Sequence, residues 1–81
     1  MSPTLLNRKE YGYDVRLYTK DHAPAHVHVF AGMKEAKISL DPIDLLDNWG
    51  FNPREISKIL NLIEEQADFL LQEWDNYHPI H

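Results

Sequence analysis

The segment Asp21-His22-Ala23-Pro24-Ala25-His26-Val27-His28 gathers the residues of this chain best suited to chemistry. Imidazole nitrogens bind borderline divalent ions, and imidazole also titrates near neutrality, so two chemistries fit the cluster. His26 and His28 are two apart, and on a strand that spacing sends both rings out from one face. His22, four residues before His26, reaches them if the chain turns back at Pro24. Three imidazoles with an open fourth position suit Zn²⁺ or another borderline divalent metal, and Asp21 could add a ligand or orient one of the rings. A metal-free chemistry uses the same face, with Arg16, Tyr18 and Lys37 on neighbouring strands. One ring acts as base and another as acid, while a cation stabilises a pentavalent phosphate during RNA cleavage. The candidate catalytic set is therefore His22, His26, His28, Arg16, Tyr18 and Lys37. The candidate metal set is His22, His26, His28 and Asp21. The same groups could instead bind a phosphate or an acidic partner, and histidines on an exposed strand are also simply tolerated polar residues.

The elements that must position these residues are legible in the hydrophobic pattern. Tyr11, Tyr13, Val15 and Leu17 alternate with Asp14, Arg16, Tyr18 and Lys20, which predicts a half-buried strand over residues 12–19. Strands are expected at residues 26–31 and 34–40 as well, with a weaker one around Thr4 to Arg8. Ala31-Gly32-Met33-Lys34 reads as a tight hairpin turn. A two-residue loop there pairs Val29 with Ala36 and Val27 with Ile38, and sets His28 opposite Lys37 and His26 opposite Ser39. Asp41-Pro42-Ile43-Asp44 reads as the start of a short helical turn, with Asp41 as cap and Pro42 in the first helical position. Asn52, Pro53 and Glu55 then form a capping box for one long helix from about Pro53 to Asp75, with Phe51 stapled against Ile56. Its apolar stripe is Ile56, Ile59, Leu60, Ile63, Ala67, Leu70, Leu71 and Trp74.

The expected fold is α+β: a small antiparallel three- to four-stranded sheet with one long C-terminal helix packed on one face. Residues 1–81 form a single domain in this reading. One helix covers one sheet face, so the Val27/Val29/Ile38 face goes under it and the His26/His28 face stays open. Leu62 and Phe69 fall well away from the centre of the stripe and suggest a contact, either a homodimer or a docked protein. Tyr11, Tyr13, Trp49 and Phe51 read as core and staple, and His78 and His81 as a fraying tail.

The composition removes several function classes. There is no cysteine among the 81 residues, so neither disulfides nor thiolate ligands enter. No apolar run is long enough to span a bilayer, and the first residues lack the apolar stretch of a secretory signal. A cytoplasmic, non-membrane protein is the expectation. The net charge is −5, but it is unevenly spread, with most of the basic residues and three histidines in the first half and most carboxylates in the second. Phosphates are repelled by such a helix, so a polyanion would have to meet the N-terminal half.

With these residues in hand, the chain resembles the bacterial family catalogued as domain of unknown function 4160. The resemblance rests on Asp21-His22-x-Pro24-x-His26-x-His28, Lys34-Glu35-Ala36-Lys37, Leu40-Asp41-Pro42 and Asn48-x-Gly50-Phe51. It continues through the helix with Glu64-Glu65, Leu70-Leu71 and Trp74. It implies a small bacterial protein, often encoded beside a second small protein and labelled as the toxin of a toxin–antitoxin pair, with some labels likening it to RelE-type ribonucleases. This chain departs from the ribonuclease pattern, being acidic and carrying its long helix after the strands. The leading reading is a component of a toxin–antitoxin-like module acting through the histidine face, with RNA as the candidate substrate and a small cognate protein as partner. The alternative is a non-enzymatic binding module that coordinates a divalent, zinc-like metal or docks a partner protein.

Overall fold

The computed structural model describes residues 2–79. In chain order it holds β1 (Thr4–Leu6), α1 (Arg8–Tyr11), β2 (Asp14–Arg16), β3 (His26–Ala31), β4 (Lys34–Leu40), β5 (Ile43–Trp49), α2 (Pro53–Glu65) and α3 (Ala67–Tyr77). The strands form one five-stranded antiparallel meander in the order β1-β2-β3-β4-β5. The β3–β4 hairpin has the expected register, with Val27 opposite Ile38, Val29 opposite Ala36, His28 opposite Lys37 and His26 opposite Ser39.

The expectation of three or four strands and one long helix is corrected in three places. First, Asp41 and Pro42 do not start a helix. They form a two-residue turn, with Leu40 opposite Ile43, into the fifth strand. A cap residue followed by proline suits a turn as well as a helix start, and the strand pairing decides it. Second, the helical stretch is divided at Gln66, whose backbone leaves the helical region at φ −103°, ψ 11°. The division lets α2 lie against β5 and α3 against β4, following the twist of the sheet. Third, the strand expected at 12–19 shrinks to Asp14–Arg16, and a single helical turn precedes it. Asn7 caps that turn through a 2.8 Å bond from the Glu10 N–H, and Asp14 accepts from the Arg8 N–H at 2.8 Å.

The core lies between one sheet face and the helices. Val15, Val27, Val29, Ala36, Ile38 and Leu40 meet Ile59, Ile63, Leu70 and Trp74, all buried. Burying a side chain such as Ile59 contributes about 1.5–3 kcal/mol. Two devices fix how α2 leaves β5. The Asn48 side chain donates to the Phe51 carbonyl at 2.9 Å and accepts from the Phe51 N–H at 3.1 Å. Gly50, at φ +102°, passes so close to Lys34 that a Cβ there would sit 3.1 Å from its Cγ. The capping box of Asn52 and Glu55 is present as expected. Lys34 also reaches Glu55 at 3.0 Å and ties β4 to α2.

Three smaller expectations change. Trp49 is 53 % exposed and is not core, whereas Phe51 is buried and meets Tyr13 edge to face at 5.9 Å. Leu62 is partly buried against the core, which leaves Phe69 as the exposed member of that pair. His78 does not fray: its ring stacks on Trp74 at 3.7 Å, and its Nδ1 lies 3.1 Å from the Trp74 carbonyl. His81 lies outside the described residues.

A candidate metal centre of two histidines and an aspartate

β3 sets His26 and His28 on one side of the sheet, because they are two apart on a regular strand. The β2–β3 connection, residues 17–25, then folds back over the start of β3 and brings Asp21 to both rings. His26 Nε2 lies 2.8 Å and His28 Nε2 2.9 Å from the same oxygen, Asp21 Oδ2. The far side of each ring is held too. His26 Nδ1 is 2.8 Å from the Pro24 carbonyl, and His28 Nδ1 is 3.4 Å from Glu35 Oε2.

This arrangement settles which nitrogen of each ring faces the centre. A carbonyl oxygen can only accept, so His26 Nδ1 donates to Pro24. The Nε2 atoms of both rings converge on one carboxylate oxygen. Ligating atoms of Asp21, His26 and His28 all lie within 4.8 Å of one another. A tetrahedral ion with bonds of about 2.0–2.1 Å keeps its ligand atoms about 3.3 Å apart. Opening the two N–O distances by a few tenths of an ångström therefore admits an ion between them. Burial pushes the Asp21 carboxyl up, but hydrogen bonds from His28 and His26, with the charge of those rings, outweigh it and hold it below the usual value.

The face is less open than the alternation suggests. His26 is only 5 % exposed, covered by Trp74 with ring centroids 5.3 Å apart. Tyr18 lies against His28 at 4.5 Å, and the two imidazoles meet edge to face at 5.2 Å. The side chains are sheltered because the 17–25 connection and the end of α3 both close on the start of β3.

Of the residues anticipated for a metal, Asp21, His26 and His28 come together, while His22 is exposed and stands outside the group. The chain does turn back at Pro24, but the turn delivers the aspartate and not the histidine beside it. Of the remaining anticipated residues, Arg16 and Lys37 are the cross-strand neighbours of His28 on β2 and β4, and Tyr18 packs on its ring. The Arg16 guanidinium lies 5.6 Å over the Phe30 ring, and its Nε is buried with no hydrogen-bond partner among the described residues. Sequence reasoning overlooked Glu35, Trp74 and the Pro24 carbonyl. Glu35 could have been found, since the hairpin register places it opposite Phe30 and diagonal to His28 on the same face.

The family model described as a domain of unknown function (DUF4160) matches residues 12–75. No curated protein and no solved structure matches the chain.

Proposed function

The chain belongs to the DUF4160 family, and from that premise we propose that it is a divalent-metal-binding module with Asp21, His26 and His28 as ligands. One observation carries the reading. Both imidazoles present Nε2 to a single carboxylate oxygen while their Nδ1 atoms are engaged by acceptors on the far side. Fixing Nδ1 on a carbonyl or carboxylate is how metal-ligating histidines are oriented. With His26 Nδ1 donating to the Pro24 carbonyl, Nε2 is the nitrogen left to meet a ligand on the Asp21 side. Imidazole nitrogen with carboxylate oxygen, and no thiolate, is a donor set for Zn²⁺, Co²⁺, Ni²⁺ or Fe²⁺.

The test is titration of the purified protein with Zn²⁺ and Co²⁺ by calorimetry, with metal content measured after dialysis. One ion per chain is expected, with protons released on binding because Nε2 must be free of hydrogen. Asp21→Ala, His26→Ala and His28→Ala should each abolish tight uptake, and His22→Ala should retain it. No uptake by the wild type, or equal uptake by Asp21→Ala, would overturn the assignment.

A second reading, a toxin-like component that cleaves RNA, draws support from Arg16 and Lys37 flanking His28 across the sheet. It is the weaker one, because the ring nitrogens that would move protons already face Asp21, Glu35 or Pro24 and His26 is buried. Growth arrest on overproduction, relieved by His28→Ala in a protein that still folds, would favour it over metal binding alone.

A further inference from the structure

We propose that β5 is a docking edge for a basic, extended protein segment, which adds to the sheet as a sixth strand. β5 is a seven-residue strand at the end of the sheet order, so one side of its backbone carries no strand partner among the described residues. Such an edge offers a row of unpaired N–H and C=O groups to any chain that can lie along it. α2 packs against β5, yet Asp44 and the whole stretch from Leu46 to Gly50 remain exposed.

Two further observations define the partner. Leu46 and Trp49 are 43 % and 53 % exposed on this strand, and an exposed Trp is an anchor of the kind that dominates protein interfaces. Asp41, Asp44 and Asp47 are also exposed, and no Lys or Arg occurs between Lys37 and Arg54. Among the described residues none of the three carboxylates forms an ion pair within 4.0 Å. Two copies of this strand laid side by side would bring four carboxylates together, those of Asp44 and Asp47 from each copy, so charge works against self-association. The same charges attract a strand carrying Lys or Arg, and apolar residues on that strand can cover Leu46 and Trp49. This inference is independent of the metal centre, which lies on β3.

The experiment selects octapeptides from a displayed random library on the full-length protein, then titrates synthetic copies of the enriched peptides into isotope-labelled protein. Enrichment of β-prone sequences rich in Lys or Arg is expected, with amide shifts concentrated on Asp44 to Trp49. Affinity should fall as salt rises, and Asp44→Lys/Asp47→Lys should weaken binding by about tenfold or more. Both positions are exposed, but Asp47 lies opposite Lys37 on β4, so the variant should stay folded with only a modest fall in melting temperature. The inference is overturned by no enrichment, by enrichment without basic residues, by shifts that map elsewhere, by indifference to the charge reversal, or by wild-type dimerisation along β5.

Discussion

Asp21 decides the chemistry of the histidine cluster, because among the described residues it alone hydrogen-bonds both rings. Its carboxyl is held below its ordinary value of 3.8 in the folded protein, so the sign of the linkage is fixed. The stabilisation is complete above the unfolded value and disappears as pH falls from there through the lower folded value. Asp21→Asn should thus destabilise the protein at neutral pH by about 1–3 kcal/mol. The difference from wild type should close in acid, as chemical denaturation across pH would show. A gap that stays constant down to strongly acidic pH would count against this account. Glu35 has a separate task. Glu35→Gln should leave the fold intact and weaken metal binding by about 10–100-fold, the usual effect of losing a partner that orients a ligand. The histidines and Asp21 were visible in the sequence as residue types, but spacing alone favoured His22 as third ligand. Only the path of the 17–25 connection distinguishes neighbours on a loop.

At the scale of elements, the β3–β4 hairpin was fully readable, register included, since period-two alternation on both strands admits one pairing. β5 was not, because Asp41-Pro42 resembles a helix start and Ile43-Asp44-Leu45-Leu46-Asp47 is too short for periodicity to separate strand from helix. The division of the C-terminal helix at Gln66 has no Gly or Pro to announce it, and the apolar stripe runs across it unbroken. The corner between β5 and α2 offers a sharp test. Gly50→Ala places a side chain at positive φ and against Lys34, so a loss of about 1–2 kcal/mol is expected from thermal or denaturant unfolding. Asn52→Ala at the adjacent cap should cost about 1 kcal/mol.

Across the whole molecule, the sheet divides two surfaces: an inner one sealed by α2 and α3, and an outer one on which His28, Phe30, Arg16 and Lys37 lie. Among the described residues no helix is long and apolar enough to cross a membrane. Lys34 and Glu55 join sheet to helix, and Lys34, with the Asn52 N–H bond, holds the Glu55 carboxyl low. That contribution too is present above the unfolded value and lost as pH falls through the folded one, so Glu55→Gln should differ from wild type at neutral pH and match it in acid. His26 and His28 sit on a central, buried strand, whereas Asp21 rides on the one long connection between successive strands of the β2–β5 stretch. Lys20, exposed on that connection, immediately precedes Asp21, so a single tryptic cut there would sever the aspartate's segment from β2. An ion gripping Asp21 against β3 would hold the loop closed and shield the bond, and the rate of cleavage at Lys20 becomes a reporter of occupancy. Loaded protein should outlast metal-free protein at that bond, and the protection should vanish when a chelator is added.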